Sequence, residues 1–72
     1  MVAAIHNGFV IDPIYERGQW RIMVAKADGS NVRASLPSEP EAVAKQWLSR
    51  AYASKENGIE EVKAAIDRGQ LA

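Results

Sequence analysis

Seventy-two residues leave room for one domain with one core. A chain of this size buries only about 60% of the surface that its unfolded form exposes, so it packs efficiently or borrows surface from a second chain. An apolar content of 47% is that of a globular chain rather than a disordered one. Nine basic and nine acidic side chains cancel, leaving no net field to steer a phosphate backbone or an anionic membrane. The chain has no cysteine, which excludes disulfides, thiolate nucleophiles, zinc–thiolate and iron–sulfur sites and favours a cytoplasmic setting.

The opening Met1-Val-Ala-Ala-Ile5 is apolar for five residues, lacks a basic flank and is interrupted by His6, Asn7 and Gly8. It reads as neither a signal peptide nor a membrane span. Asn7-Gly8, between Ile5 and Phe9, is a strong hairpin signal, because both residues tolerate positive φ. Further turns are expected at Glu16-Arg17-Gly18-Gln19 and at Asp28-Gly29-Ser30. The strands they delimit are Val2–Ile5, Phe9–Tyr15, Trp20–Ala27 and Asn31–Leu36, a three- or four-stranded antiparallel meander. Pro13 has no N–H to give to a ladder and is expected at an edge or a bulge.

Alternation sets the registers. A turn at Arg17-Gly18 pairs Tyr15 with Trp20 and Ile11 with Val24. A three-residue loop at Asp28-Gly29-Ser30 sets Val24 against Ala34 and Ile22 against Leu36, keeping apolar with apolar. The core face then reads Phe9, Ile11, Tyr15, Trp20, Ile22, Val24, Val32, Ala34 and Leu36.

Ser38-Glu39-Pro40-Glu41 has the pattern of a capping box with proline in the first turn. Val43, Ala44, Trp47, Leu48, Ala51 and Tyr52 follow on adjacent i, i+4 rows, with Glu41 and Lys45 paired on the wet side. This spacing predicts a long helix, stopped at Asn57-Gly58 and packed on the Trp20 face of the sheet. Ile59, Val62 and Ile66 predict a short second helix that ends at Gly69. The expected architecture is a single α+β domain over residues 1–72.

Catalytic equipment is sparse. One histidine and no cysteine leave too few parts for a His/Cys metal cluster or a nucleophile–His arrangement. Gly8, Gly18, Gly29, Gly58 and Gly69 stand too far apart to form a phosphate-cradling loop. Glu39/Glu41 and Glu60/Glu61 read as anions at helix N-termini. His6 reads as a polar turn residue, and Trp20 and Trp47 as packing between sheet and helix. No enzymatic activity, cofactor, metal or small-molecule ligand is expected.

The second face of the sheet is the informative feature. It carries Val10, Ile14, Met23 and Ala25, with Asp12, Arg21, Arg33 and Ser35 around them and Ile5 if the first strand pairs. A solvated face is mostly polar, and this one is only half so. Three explanations compete: the short helix or the tail Gln70-Leu71-Ala72 crosses it, it pairs with a second copy as a homodimer, or another protein docks on it.

From Ile14 to Ala51, through the segments Ile14–Val24, Ala27–Ser30 and Glu39–Leu48, the chain resembles the N-terminal arm-binding domain of phage-type tyrosine recombinases, related to the plant AP2 DNA-binding fold. Members run strand, Arg-Gly turn, strand opening on Trp, Asp-Gly turn, strand, then a helix with Glu-Ala and Trp. The resemblance spans about half the chain. It implies a β-ribbon in the DNA major groove, with Arg21, Arg33 and Arg17 touching DNA around Met23 and Ala25, as in an excision factor or regulator of prophage type. Such domains are strongly basic, whereas this chain is neutral and carries Asp12 on the same face. The favoured expectation is therefore a non-enzymatic interaction module. It would bind itself or another protein through Val10, Ile14, Arg21, Met23, Ala25 and Arg33, with DNA binding as the alternative.

Overall fold

The computed structural model describes residues 4–37 and 39–72 of the chain. It is a small α+β domain with six strands and one helix among those residues. The strands are β1 (Ala4–His6), β2 (Phe9–Glu16), β3 (Gln19–Lys26), β4 (Val32–Ala34), β5 (Ala42–Ala44) and β6 (Gln46–Leu48), and the helix is α1 (Lys55–Asp67). Four strands form an antiparallel sheet in the order β1-β2-β3-β6, and β4 pairs with β5 in a second ladder.

Turn chemistry builds the first half. Asn7 (φ 50°) with Gly8 (φ 81°), and Arg17 (φ 51°) with Gly18 (φ 80°), close two-residue hairpins in the left-handed region, whose twist matches that of the flanking strands. These turns fix the register: Ile5 faces Val10, Ile11 faces Val24 and Tyr15 faces Trp20, as the alternation requires. The first strand, expected at Val2–Ile5, runs Ala4–His6; positions 2 and 3 lie outside the described residues.

Pro13 is buried opposite Ile22 within β2. Two-residue turns make His6–Phe9 and Glu16–Gln19 hydrogen-bonded pairs, so the even residues of β2 bond to β3 and Pro13 turns its nitrogen the other way. Described pairing with β1 extends only to Ile11, so no N–H is required of Pro13 by either described ladder.

Beyond Lys26 the structure departs from the meander. Asp28-Gly29-Ser30 does turn, with the Asp28 carboxylate accepting from the Ser30 hydroxyl and N–H, contacts that hold its pKa below the usual value. The expected pairings of Val24 with Ala34 and Ile22 with Leu36 do not form. β4 instead leaves β3 and pairs with β5, Arg33 opposite Val43. On its other side Arg33 exchanges N–H···O bonds of 2.7 and 2.9 Å with Ala72, so the tail lies beside β4 and buries Leu71 in the core.

The long helix expected after Ser38 is replaced by β5 and β6. Val24 faces Trp47 and Met23 faces Leu48, so the free edge of the eight-residue β3 is taken by this segment. The row Gln46-Trp47-Leu48-Ser49 satisfies period two as well as period 3.6, with Trp47 packed on the core, Ser49 buried and Leu48 outward. Glu39 and Glu41 accordingly cap no helix; Glu41 accepts from Arg33 at 3.1 Å. Ser38, the cap of that expected helix, lies outside the described residues.

The pairing with β3 continues past β6 through an irregular step. Trp20 and Tyr52 exchange hydrogen bonds of 2.8 and 2.7 Å, one residue out of phase with the Met23–Leu48 register, which marks a bulge between Ser49 and Tyr52. Inside it, the buried Ser49 hydroxyl accepts from Ile22 N–H at 2.8 Å and donates to the Arg50 carbonyl at 2.8 Å.

One helix replaces the expected long and short pair, and it begins before Asn57-Gly58 rather than after it. Ser54 is its N-cap, accepting from Asn57 N–H. It ends at Gly69 (φ 77°), where Gln70 N–H bonds Ala65 O and Gly69 N–H bonds Ile66 O, a Schellman closure. Gly58, Val62, Ala65 and Ile66 face the sheet and join Phe9, Ile11, Ile22, Val24, Val32, Ala34 and Leu71 in the core. Tyr15, expected in that core, is 62% exposed at the hairpin end and packs edge-on against Trp20 at 5.1 Å. At the other end Asp67 accepts from Asn7 at 3.0 Å and lies 2.8 Å from His6 Nε2, pinning the first turn to the helix.

Candidate functional site: the outer sheet face

Strand alternation turns the residues on either side of each core side chain outward. The face opposite α1 therefore carries Ile5 from β1; Val10, Asp12, Ile14 and Glu16 from β2; Gln19, Arg21, Met23 and Ala25 from β3; and Gln46 and Leu48 from β6. Cross-strand rows are Ile5–Val10–Ala25–Gln46, Asp12–Met23–Leu48 and Ile14–Arg21. Helix and tail both contribute to the core on the opposite side, through Val62, Ala65, Ile66 and Leu71. Neither crosses the outer face.

Ile5 is 71% exposed and Leu48 41% exposed, at opposite edges of the sheet, with Val10, Ile14, Met23 and Ala25 half-buried between them. Of the residues expected to form a binding surface, Val10, Ile14, Arg21, Met23 and Ala25 come together here. Arg33 does not. It belongs to β4, exposed and paired with Glu41. Leu48 was missed as a member because the helical spacing of its segment hid its alternation with Trp47 and Ser49.

Of the polar groups of the face, Arg21 is the one held by hydrogen bonding among the described residues. Arg21 donates through Nε to the Ser49 carbonyl at 3.0 Å, and its Nη1 stands 4.0 Å from Glu16. Asp12 is half-buried among apolar neighbours and has neither a hydrogen bond nor an ion pair among the described residues. Asp12 and Glu16 against Arg21 leave the face with one net negative charge, the sign that repels a phosphate backbone.

Away from this face, a cleft of about 210 Å³ lies between α1 and the chain leading into and out of β6. Trp47 and Tyr52 line it, with Arg50, Arg68, Glu39 and Glu61 around them. The Arg50 guanidinium stacks over the Tyr52 ring at 4.5 Å. Burial raises the Tyr52 phenol above its ordinary pKa of 10.0, against the smaller opposing pull of Arg50. Two cations and two carboxylates balance there, and no single ligand charge is selected. Among the described residues no group of three or more His, Asp or Glu could hold a metal ion, and no helix is long and apolar enough to cross a membrane.

Compared with known proteins, the chain matches no family model, no curated protein and no solved structure.

Proposed function

We propose that the protein is a non-enzymatic interaction module that binds a protein surface, its own or another chain's, through the outer face of its four-stranded sheet. One observation carries this reading: six apolar side chains (Ile5, Val10, Ile14, Met23, Ala25 and Leu48) lie together on a face that neither α1 nor the tail covers. A contiguous apolar patch on an exposed sheet face is the kind of surface that marks an interaction site. The cysteine-free composition supports a cytoplasmic setting.

The test is chemical cross-linking in cells of the tagged wild-type chain, Met23→Asp, and Glu60→Lys on the exposed side of α1. A cross-linked species of defined mass is expected with wild type and with Glu60→Lys and is lost with Met23→Asp, whose amide spectrum stays that of a folded protein. A species that persists in Met23→Asp overturns the reading.

DNA binding of the recombinase-arm or prophage-regulator type is the second reading. It draws on an antiparallel sheet that turns Arg21 outward, with Arg17 in the adjoining turn. On that reading Arg21→Ala with Arg33→Ala weakens duplex binding and flattens its salt slope. The net charge of the face and the separation of Arg33 from Arg21 favour the protein-binding reading.

A further inference from the structure

We infer that the partner of the outer face is a second copy of this chain, docked about a two-fold axis that sets Asp12 of each copy against Arg21 of the other. The inference rests on the interaction reading above and names its occupant.

The half-buried Asp12 carboxylate among apolar side chains, unpaired among the described residues, costs free energy wherever its surroundings become drier, as they do under any partner. Arg21 of the same copy stands diagonally from Asp12 without pairing with it, so a partner that covers this point favours a cation placed directly on the carboxylate. Arg21 supplies one of the right kind on the same face: its Nε is anchored on the Ser49 carbonyl at 3.0 Å and Nη1 leans towards Glu16 at 4.0 Å, so the guanidinium is held in place. Its Nη2 makes no hydrogen bond or ion pair among the described residues.

Asp12, Met23, Arg21 and Ile14 are the corners of one cell of the β2–β3 ladder, since Asp12 faces Met23 and Ile14 faces Arg21. Asp12 and Arg21 occupy one diagonal, Ile14 and Met23 the other. A two-fold axis lying in the interface along the Ile14–Met23 diagonal carries each charged corner to within about 3 Å of the other's position, a gap that the long Arg21 side chain spans, so Asp12 meets Arg21 of the copy twice over. The same axis stacks Met23 on Met23 and Ile14 on Ile14. This is the self-complementarity that an isologous contact requires.

With strands about 4.8 Å apart and about 6.8 Å per two residues, the diagonal lies at roughly 35° to the strands, and the two sheets cross at roughly 70°. That angle is nearer the orthogonal than the aligned class of sheet packing. The chain as a whole is neutral, and the one net negative charge of each face is that of Glu16, more than half exposed and screened by solvent.

Sedimentation equilibrium of the full chain tests this with wild type, Asp12→Arg, Arg21→Asp and an equimolar mixture of the two variants. Wild type is expected to dimerise with concentration, each reversal alone to weaken dimerisation by about tenfold or more, and the mixture to recover it, because each variant carries the sign that the other needs. Asp12→Asn and Arg21→Gln, which nearly keep the side-chain volumes, carry the same expectation at about threefold if a reversal unfolds the chain. A wild type that stays monomeric up to about 1 mM, variants that dimerise like wild type, or a mixture that fails to recover overturns the inference. A monomeric wild type whose cross-linked species of other mass is still lost in Met23→Asp removes self-pairing alone and leaves the interaction face standing.

Discussion

Ser49 shows how one side chain repairs a ladder. Where the strand opposite β3 slips by one residue, Ile22 N–H would have no backbone acceptor, and the Ser49 hydroxyl takes that place at 2.8 Å while being only 1% exposed. Ser49→Ala leaves the Ile22 N–H buried and unpaired. The expected cost is about 1–3 kcal/mol, read as a lower urea midpoint at unchanged slope. In sequence, Ser49 looks like any polar residue in a helical stretch. Nothing in its neighbours announces a buried acceptor, because the need for one arises on β3, 27 positions away. Asp12 and Arg21 differ in this respect. Their common face follows from the turn at Arg17-Gly18 and was legible, while the lack of a partner for Asp12 among the described residues became visible only with the neighbours in place.

At the scale of elements, α1 turns on Gly58. Asn57-Gly58 reads as a stop signal, since glycine is the usual residue just past a helix end. Here it stands in the first turns of the helix because the helix lies close against the sheet. A Cβ on Gly58 would come to 2.9 Å from Ile22 Cγ1, and to 3.0 Å from Ile22 Cδ1 and Tyr52 Cδ2. Gly58→Ala would gain up to about 1 kcal/mol of helix propensity, but overpacking of about 1–3 kcal/mol opposes it. The net outcome expected is destabilisation, measured by urea unfolding, whereas the same change at a solvent-facing helix position would stabilise. The glycine thus serves a contact between elements distant in sequence. The hairpins required no such knowledge, since Asn7-Gly8 and Arg17-Gly18 sit at the positive φ values their turns need and carry the register with them.

Competition for the free edge of β3 shapes the whole molecule. That strand offers eight residues of backbone to a partner, and the turn after it leads into β4, which has three. β4 instead pairs with β5 and the tail, and the chain returns so that β6 closes the edge. With α1 already on the core face, a second helix there would compete for the same surface. A peptide of residues 38–53 is accordingly expected to form no sheet by itself. In the intact protein, a nuclear Overhauser contact between the Hα atoms of Met23 and Leu48 is expected, as in a non-hydrogen-bonded antiparallel pair. Helical i, i+4 contacts between Val43 and Trp47 in the intact protein would refute this arrangement.

The sequence by itself determined what depends on near neighbours: the two tight hairpins, the registers they impose, the alternation that divides a core face from an outer face, and the stop at Gly69. Only the tertiary structure decided the fate of residues 39–58. The row Gln46-Trp47-Leu48-Ser49 fits both the helical and the extended period, and a local pattern that fits both leaves the choice to distant partners. The unpaired edge of β3 resolved it for strand. The space already filled by α1 against Ile22 then made Gly58 part of a helix rather than its end.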